Sequence, residues 1–296
     1  MKVPISLVWR PSAVGGGGGG GGVCAATVSG GDWLLPVAAG SGGAGEALPP
    51  AVAPPCLLYA YGSYGASMDM HFSSATLSLC DRGVVYAVAH VRGGGEMGRA
   101  WYEGVDGEGG GRLLTKKNTF SDYVACAEAL LEKGWVARGR LAGMGASAGG
   151  LLMGVTLNTR PELFCAVLSC VGFVDVLLSV ADPSVPLAVT EWEEWGNPNC
   201  APFFEYIKSY SPLNNVARRA YPPTLLTAGL HDSRVPYWEP AKFAQRLRAA
   251  TTGDPRVILL KTDMGAGHFS FTDRYAALRE TAGEWAFLLT HLLKGA

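Results

Sequence analysis

The chain has 296 residues, of which 48% are hydrophobic and 17% are charged, and its formal net charge is −1. This length and apolar fraction are sufficient for a large folded core, and they argue against disorder of the chain as a whole. With 24 basic and 25 acidic residues, the charge gives no reason to expect a nucleic acid or a membrane surface as a partner.

The first residues and the cysteines bear on the cellular compartment. No apolar run approaches the roughly 18 residues of a membrane-spanning helix, and the N-terminal sequence has neither the apolar core nor the cleavage site of a signal peptide. Seven cysteines without a C-x-x-C spacing argue against a disulfide framework and against a structural zinc site. We therefore expect a cytoplasmic protein without a metal or another cofactor. Targeting to an organelle stays open, because a glycine-rich N-terminus can conceal an incomplete targeting segment.

Residues 1–10 and the segment after them predict different structures. The alternating apolar residues of VPISLVW predict an isolated first strand within residues 1–10. Residues 11–54 are rich in glycine and proline and include the unbroken run Gly15–Gly22. Such a segment has little to bury and a high backbone entropy, so we expect a flexible insert. A second glycine-rich stretch, at 104–114, predicts a surface loop.

From residue 55 to residue 296 the pattern is regular. Short apolar runs predict buried strands at 56–61, 84–91, 140–145, 166–171, 223–229 and 257–262. Stretches that favour helices lie among and after them, at 120–134, 147–158, 237–250 and 272–293. Strands that alternate with helices predict one α/β domain, with a mostly parallel, doubly wound sheet and helices on both faces.

The sharpest motif lies between a predicted strand and a predicted helix. It is the G-x-S-x-G sequence Gly145–Gly149, with Ser147 at its centre. In this context a tight turn holds the serine in a strained conformation and exposes Oγ at the carboxyl edge of the sheet, near the positive end of the helix. The alternative is a serine that only caps the helix. The preceding strand, together with Gly150 and Gly154, favours a nucleophile, because small residues let the helix pack closely on the sheet.

A serine hydroxyl needs a base, and the base needs a group that orients it. His268 lies in a glycine-flanked loop after the last predicted strand, from which an imidazole can reach over the sheet edge. His90 lies in a predicted strand, where a hydrogen-bonded core histidine is the expected case. Asp232 follows the strand at 223–229 and therefore emerges at the same edge. The order Ser147, Asp232, His268 is the one expected of α/β-hydrolases.

The tetrahedral intermediate of such a reaction needs hydrogen-bond donors for its oxyanion. The amide of Ala148, which follows the nucleophile, is one candidate. The second is expected in the loop after an early strand, within residues 59–69. Either a tyrosine hydroxyl or a backbone amide can serve there, and the tyrosines of this loop can equally be packed in the core.

Several stretches resemble the prolyl oligopeptidase family, and most of all its oligopeptidase B members. They run in colinear order from about residue 57 to the C-terminus: LYAYGSYGASMD, YAVAHVRGGGEMGRAWYEG, KKNTFSDY, GASAGGLLMG, NTRPELF, EWEEWGNPN, YSPLNNV, GLHDSRVPYWEPAKFAQRLR and TDMGAGH. The start of the chain, VPISLVWR, also resembles the first strand of that peptidase domain. The resemblance implies an α/β-hydrolase peptidase domain that cleaves short peptides after basic residues.

The resemblance also implies roles for individual residues. By position, Ser147 is the nucleophile, His268 is the general base and Asp232 is the residue that orients the base. Tyr61 matches the family's oxyanion tyrosine, which acts together with the Ala148 amide. The first three roles agree with those inferred above from the motif and from chain order.

Four further positions are implied to bind substrate. Arg234 matches an arginine that bonds a peptide carbonyl or a terminal carboxylate. Glu191 and Glu193 match carboxylates of the pocket for an arginine or lysine side chain, where charge-assisted bonds replace the hydration of the cation. Spacing i,i+2 places two side chains on one face only in extended backbone, and a solvated acidic turn is the alternative. Asp69 matches a carboxylate of the neighbouring basic subsite.

Three departures limit the resemblance. Glycine-rich inserts at 11–54 and 104–114 interrupt the domain. Where the family has a second subsite aspartate, this chain has His71, so we expect a weaker preference for paired basic residues at neutral pH. The family also carries a β-propeller over its active site, and no part of this sequence predicts one. We therefore expect a peptidase domain alone, with the propeller missing or on a separate chain, and short basic peptides as substrates.

Three functional hypotheses follow. The leading one is a serine peptidase that acts through an acyl-enzyme after Arg or Lys. The second keeps the triad but has an esterase-like substrate range, as an uncovered site allows. The third is a catalytically impaired fragment that serves as an interaction module, since the geometry depends on a cap that the sequence does not predict.

Overall fold

The computed structural model of the protein describes residues 3–10, 24–29, 52–269 and 273–294. Its strands are β1 (Pro4–Trp9), β2 (Cys24–Ser29), β3 (Cys56–Tyr59), β4 (Val85–Ala89), β5 (Leu141–Ala146), β6 (Ala166–Cys170), β7 (Thr224–Gly229) and β8 (Ile258–Asp263). Within the described residues they form one sheet of eight strands, in the order β2-β1-β4-β3-β5-β6-β7-β8. The strands from β3 to β8 run parallel to one another, whereas β1 runs antiparallel to both of its neighbours.

The first strand is an integral part of this sheet, which corrects the prediction of an isolated strand. On one side, Ile5 to Val8 of β1 pair with Ala89 to Tyr86 of β4. On the other side, β1 pairs with β2 over six residues, so its second edge is also hydrogen-bonded. Because β2 lies within the segment 11–54, the prediction of a flexible insert is wrong for these six residues. Apart from 52–54, the remainder of that segment lies outside the described residues.

The helices of the described residues are α1 (Ser74–Cys80), α2 (Arg99–Glu103), α3 (Lys117–Glu132), α4 (Ala148–Thr159), α5 (Val176–Ala181), α6 (Trp192–Trp195), α7 (Ala201–Lys208), α8 (Trp238–Ala250) and α9 (Arg274–Leu292). The four predicted helices are confirmed as α3, α4, α8 and α9. The other five have at most eight residues, too few to show a clear helical period. The predicted loop at 104–114 is confirmed up to its end, where Leu113–Thr115 form a turn of 3-10 helix. Each described helix is too short or too polar to span a lipid bilayer.

Two hydrophobic cores lie on opposite faces of the sheet, because successive side chains of a strand point to opposite faces. On β3, Leu57 is buried in the smaller core and Leu58 in the larger one. Leu79 of α1, together with Leu288 and Leu292 of α9, completes the smaller core. Buried side chains of α3, α4 and α8 complete the larger one. The predicted architecture, with helices on both faces of the sheet, is confirmed.

Covering both faces leaves the ends of the strands as the place for a site. In a parallel sheet the loops that follow the strands all leave at the carboxyl edge. The loops after β5, β7 and β8 leave the sheet at this edge, and they carry the three residues predicted to react.

Leu288→Ala should destabilise the fold through the smaller core. Leu288 is fully buried, and its truncation should lower the free energy of unfolding by about 2–5 kcal/mol, because apolar contacts are lost and a cavity remains. Leu278 lies on the same helix but is 51% exposed, so Leu278→Ala should change stability by less than about 0.5 kcal/mol. Urea unfolding at constant m-value measures both, and equal losses would contradict the assigned burial.

Candidate active site

Ser147 occupies a turn between β5 and α4 that only small neighbours allow. Its backbone has φ 56° and ψ −116°, a conformation that costs a residue with a Cβ free energy. A Cβ on Gly145 would overlap the carbonyl oxygen of Gly149, and one on Gly149 would lie 2.7 Å from the carbonyl oxygen of Ala60. The Ser147 amide donates to the carbonyl of Cys170 at 2.8 Å, which ties the turn to the end of β6. The predicted strand–turn–helix context is therefore present.

His268 connects the other two predicted residues to this turn. Its Nε2 lies 3.0 Å from the Ser147 Oγ, and its Nδ1 lies 2.7 Å from Asp232 Oδ2. A carboxylate only accepts hydrogen bonds, so Nδ1 donates to Asp232 and the Nε2 of neutral His268 is left to accept from the serine hydroxyl. The structure thus brings together the three residues that chain order predicted.

Asp232 is held as a carboxylate by its surroundings. Burial on its own raises the pKa of this carboxyl, but the hydrogen bond from His268 opposes that effect. The backbone amides of Val235 and Arg234 also donate to its Oδ1, each at 2.8 Å. Together these bonds outweigh burial and keep the pKa of Asp232 below its usual value. A fixed negative charge therefore faces Nδ1 and stabilises the imidazolium that forms when His268 takes a proton.

Two donors suited to an oxyanion lie at the same cavity as Ser147. Ala148 is the first residue of α4, so its amide has no carbonyl partner within the helix. Tyr61 lines the cavity from the loop after β3. Burial, followed by the charges of Tyr59, Glu194 and Glu191, raises the pKa of Tyr61 to about 12. The tyrosine hydroxyl therefore keeps its proton near neutral pH and can donate it in a hydrogen bond.

The cavity above the triad has a volume of about 460 Å³. It is lined by four residues of the predicted reactive centre, which are Ser147, His268, Tyr61 and Ala148. Two charged residues that were predicted to bind substrate, Arg234 and Glu191, also line it. Apolar side chains form the rest of the wall, among them Val171, Phe173, Leu187 and Phe269. A mostly apolar cavity with a few polar groups that converge on one point is typical of a small-ligand site.

Glu191 is oriented by two hydrogen bonds. Its Oε2 accepts from the Tyr64 hydroxyl and from the Trp195 indole nitrogen, each at 2.7 Å. Since both of these bonds end on the same oxygen, Oε1 is left for a ligand in the cavity. Arg234, exposed at the rim, has its guanidinium carbon 4.9 Å from the centre of the Phe269 ring.

The structure does not bring Glu193 and Asp69 to this cavity. Both residues are exposed, and neither lines the cavity. The backbone carbonyl of Asp69 pairs with the imidazole of His71 at 3.2 Å. Glu193 lies on α6, where a side chain two positions from Glu191 points in a different direction. In the described part of the chain, no group of three or more His, Cys, Asp or Glu side chains is arranged to hold a metal ion.

Two buried charged residues beside the cavity were not found from the sequence. Glu194 is three positions from Glu191 and thus on the same side of the helix, a spacing that helical geometry makes recognisable once α6 is known. Lys116 precedes α3, and nothing in its sequence context distinguishes it from a solvated lysine. His90 is buried as predicted and is hydrogen-bonded to Ser6 and Glu96, which confirms it as a core histidine.

Comparison with known proteins assigns the chain to a family. The family model described as the prolyl oligopeptidase family matches residues 70–295. The chain belongs to the prolyl oligopeptidase family. The predicted resemblance to that family and to oligopeptidase B is confirmed, and with it the α/β-hydrolase fold.

The relatives are considerably longer than this chain. Dipeptidyl aminopeptidase BI of Pseudoxanthomonas mexicana is 49% identical over 238 residues, which are 80% of this chain and 32% of that protein. Protease 2 of Moraxella lacunata is 44% identical over 238 residues, which are 80% of this chain and 34% of that protein. The closed form of oligopeptidase B from Trypanosoma brucei, with covalently bound antipain, is 45% identical with a TM-score of 0.79 and matches 98% of this chain and 37% of its own. The chain spans about a third of the length of these relatives.

A buried glutamate fixes one wall of the cavity in this family member. Glu239 of α8 accepts hydrogen bonds from the amides of Val174 and Asp175 at 2.9 and 2.8 Å, and from the hydroxyl of Ser179 at 2.5 Å. The segment that it holds continues from Phe173, which lines the cavity. Burial raises the pKa of Glu239 to about 7, although the hydrogen bonds that it accepts oppose this rise.

Glu239 should make the stability of the fold depend on pH. Its pKa of about 7 in the folded state lies above the value of about 4.3 in an unfolded chain, so between these values the folded state binds more protons. The free energy of unfolding should therefore fall as pH rises through this window. Glu239→Gln removes the titration, and the variant should gain roughly 2–4 kcal/mol over the wild type between about pH 4.5 and about pH 8.

Urea unfolding of both proteins across this pH range measures the difference. Glutamine has nearly the same shape, and its carbonyl oxygen can accept the two backbone hydrogen bonds. Glu205→Gln is a matched control, because Glu205 is exposed on α7 and should leave the pH profile unchanged. Parallel profiles for wild type and Glu239→Gln would show that the buried carboxyl does not titrate in this window.

Proposed function

We propose that this chain is a serine peptidase domain that hydrolyses short peptides on the carboxyl side of Arg or Lys. The observation that carries the proposal is one cavity that holds both a reactive centre and a carboxylate. Ser147 and His268 lie in hydrogen-bond contact at its floor, and Glu191 lines the same cavity. The proposal is further supported by the names of two relatives, Protease 2 and oligopeptidase B.

Acylation uses the hydrogen-bonded chain of the triad. As the Oγ of Ser147 attacks the scissile carbonyl carbon, His268 Nε2 takes the hydroxyl proton. The carbonyl oxygen becomes an oxyanion, to which the Ala148 amide and the Tyr61 hydroxyl donate. The intermediate then collapses, the C–N bond breaks, and His268 gives its proton to the leaving amine.

Deacylation repeats these steps with water as the nucleophile. His268 takes a proton from the water as its oxygen attacks the ester carbon. The second tetrahedral intermediate collapses, the bond from carbon to Oγ breaks, and His268 returns the proton to Ser147. The negative charge of Asp232 stabilises the imidazolium in both halves of the reaction.

Specificity for a basic side chain rests on Glu191. A guanidinium or ammonium that enters the cavity loses hydration, and the free oxygen of Glu191 replaces it with a charge-assisted hydrogen bond. Arg234 at the rim is a candidate donor to a peptide carbonyl or to a terminal carboxylate. The roles of Glu193 and Asp69 in substrate binding stay predictions, since their side chains are exposed away from the cavity.

The second candidate is a dipeptidyl aminopeptidase, which the name of the relative with 49% identity favours. Both activities would use the triad and the Glu191 carboxylate, but an aminopeptidase requires a free substrate N-terminus. An arginyl amide with an N-terminal blocking group tests the endopeptidase directly. Turnover of the unblocked dipeptidyl amide alone would favour the second candidate.

Ser147→Ala should abolish turnover of arginyl amides and labelling by a fluorophosphonate probe. Loss of the nucleophile should lower kcat by roughly 10⁴–10⁶-fold, because only the oxyanion donors and substrate binding remain. Ser121→Ala, at an exposed serine of α3, should keep both activities. Labelling that persists in the Ser147→Ala variant would refute the assignment of the nucleophile.

The same probe distinguishes the remaining hypotheses. A folded wild-type chain that is not labelled would favour the catalytically impaired interaction module. A labelled chain that turns over neutral acyl esters as readily as arginyl amides would favour the esterase-like range.

Glu191→Gln should lower kcat/KM for an arginyl amide by about 10–100-fold, the effect expected from losing a hydrogen bond between charged groups. Turnover of a neutral acyl ester should change by less than about threefold, because the ester carries no cation for the carboxylate to bind. Glu193→Gln is the matched variant and should have the smaller effect, since Glu193 lies outside the cavity. Equal losses on both substrates in Glu191→Gln would make this glutamate structural.

A further inference from the structure

Lys116 is a buried cation beside the proposed active site. It is 1% exposed, and its Nζ donates to the carbonyl of Gly62 at 2.6 Å, to the Ser63 hydroxyl at 2.7 Å and to Glu194 Oε1 at 3.3 Å. The ammonium also lies 4.8 Å from the centre of the Trp195 ring, within the range of a cation–π contact. Its three hydrogens are therefore matched by three acceptors.

Glu194 is the buried partner of this lysine and is 2% exposed. Besides Lys116, its Oε1 accepts from the backbone amide of Tyr64 at 3.2 Å. Its Oε2 accepts from the Tyr102 hydroxyl at 2.6 Å. Both oxygens are thus engaged, and the pair has no direct contact with the cavity.

The pair joins two segments that are far apart in sequence. On one side it holds the backbone of residues 62–64, which directly follow Tyr61. On the other side it fixes α6, whose residue Trp195 donates to Glu191. Tyr64 links the two segments, because its amide donates a hydrogen bond to Glu194 and its hydroxyl donates one to Glu191. A shift of the pair would therefore move both Tyr61 and the carboxylate of Glu191, which line the cavity.

A contribution to stability does not by itself explain why these two charged residues are buried together. Removing two charges from water is costly, and well-packed apolar residues often replace a buried ion pair without loss of stability. Burial lowers the pKa of Lys116, although the neighbouring carboxylate of Glu194 opposes this effect. The pair contributes directional bonds to two backbone groups and two side chains, which apolar residues cannot provide.

We propose that Lys116 and Glu194 are positioning residues that set the distance between the Tyr61 oxyanion donor and the Glu191 carboxylate. A bound substrate then meets both at once, with its carbonyl at Tyr61 and its basic side chain at Glu191. This inference rests on the proposed peptidase function. It adds that the two halves of the site are coupled through a pair that touches neither the reacting atoms nor the substrate.

The double variant Lys116→Met, Glu194→Gln removes both charges and leaves side chains of similar length. It should fold and should still be labelled at Ser147, because the triad is held by other contacts. Its kcat on a neutral acyl ester should fall by about 10²–10³-fold, as expected when one oxyanion donor is displaced from the oxyanion. Its kcat/KM on an arginyl amide should fall by a further factor of about 10, since Glu191 moves as well.

A cycle with Tyr61→Phe separates positioning from a merely structural role. In the wild-type background, this substitution should lower ester kcat by about 10²–10³-fold. In the double variant, where Tyr61 is already displaced, it should lower ester kcat by less than about threefold, because coupled residues are not additive. The same large loss in both backgrounds would overturn the inference, as would an ester kcat within about threefold of wild type in the double variant.

Two controls keep the outcomes distinct. Arg160→Met, Glu128→Gln removes an ion pair between α3 and the end of α4, away from the cavity, and should leave both activities unchanged. If the double variant does not fold, Glu194→Gln alone preserves the shape of the side chain and carries the same cycle. A wild-type chain that is neither labelled nor active would refute the proposed function itself, whereas an active wild type with additive losses would refute only the positioning role.

Discussion

The turn at Ser147 is the constraint on which the site depends. A serine with φ 56° is strained, and the turn is possible because neither Gly145 nor Gly149 has a side chain to collide with the backbone. The turn brings Oγ to the cavity that the Ala148 amide also lines. The parallel sheet supplies the remainder, because the loops after β7 and β8 leave at the same edge and carry Asp232 and His268 to the serine.

This dependence explains which parts of the fold are predictable from sequence. The triad is predictable because each member follows an apolar run that is itself a local signal of a buried strand. β2 is not, because CAATVS has no clear alternation of apolar and polar residues, and the strand is recognised only from its pairing with the edge of β1. The pairing of β1 with β4 is equally non-local, since Ile5 and Ala89 are partners across more than eighty positions of sequence.

The glutamates near α6 show a second limit of prediction from sequence, which is that the local backbone conformation must be known. The spacing of Glu191 and Glu193 places both in one pocket only if the backbone is extended, whereas the residues form the start of a one-turn helix. In a helix, Glu194 rather than Glu193 lies on the same side as Glu191, and Glu194 is buried. The burial of Lys116 was not predicted for a third reason. Its burial depends on a partner 78 positions away, and lysine is the residue least expected in a protein interior.

The charges around Tyr61 bear on how a basic substrate would be selected. Carboxylates near a phenol raise its pKa and preserve it as a donor, but the same carboxylates oppose the negative charge that develops on an oxyanion. Lys116 balances Glu194 within the buried pair, so the negative charge that remains on this side of the cavity is that of Glu191, which Arg234 opposes from the rim. On the proposed function, the guanidinium or ammonium of a bound substrate neutralises this charge before the oxyanion forms. A basic side chain would then favour the transition state as well as binding, because it removes a repulsion that a neutral substrate leaves in place.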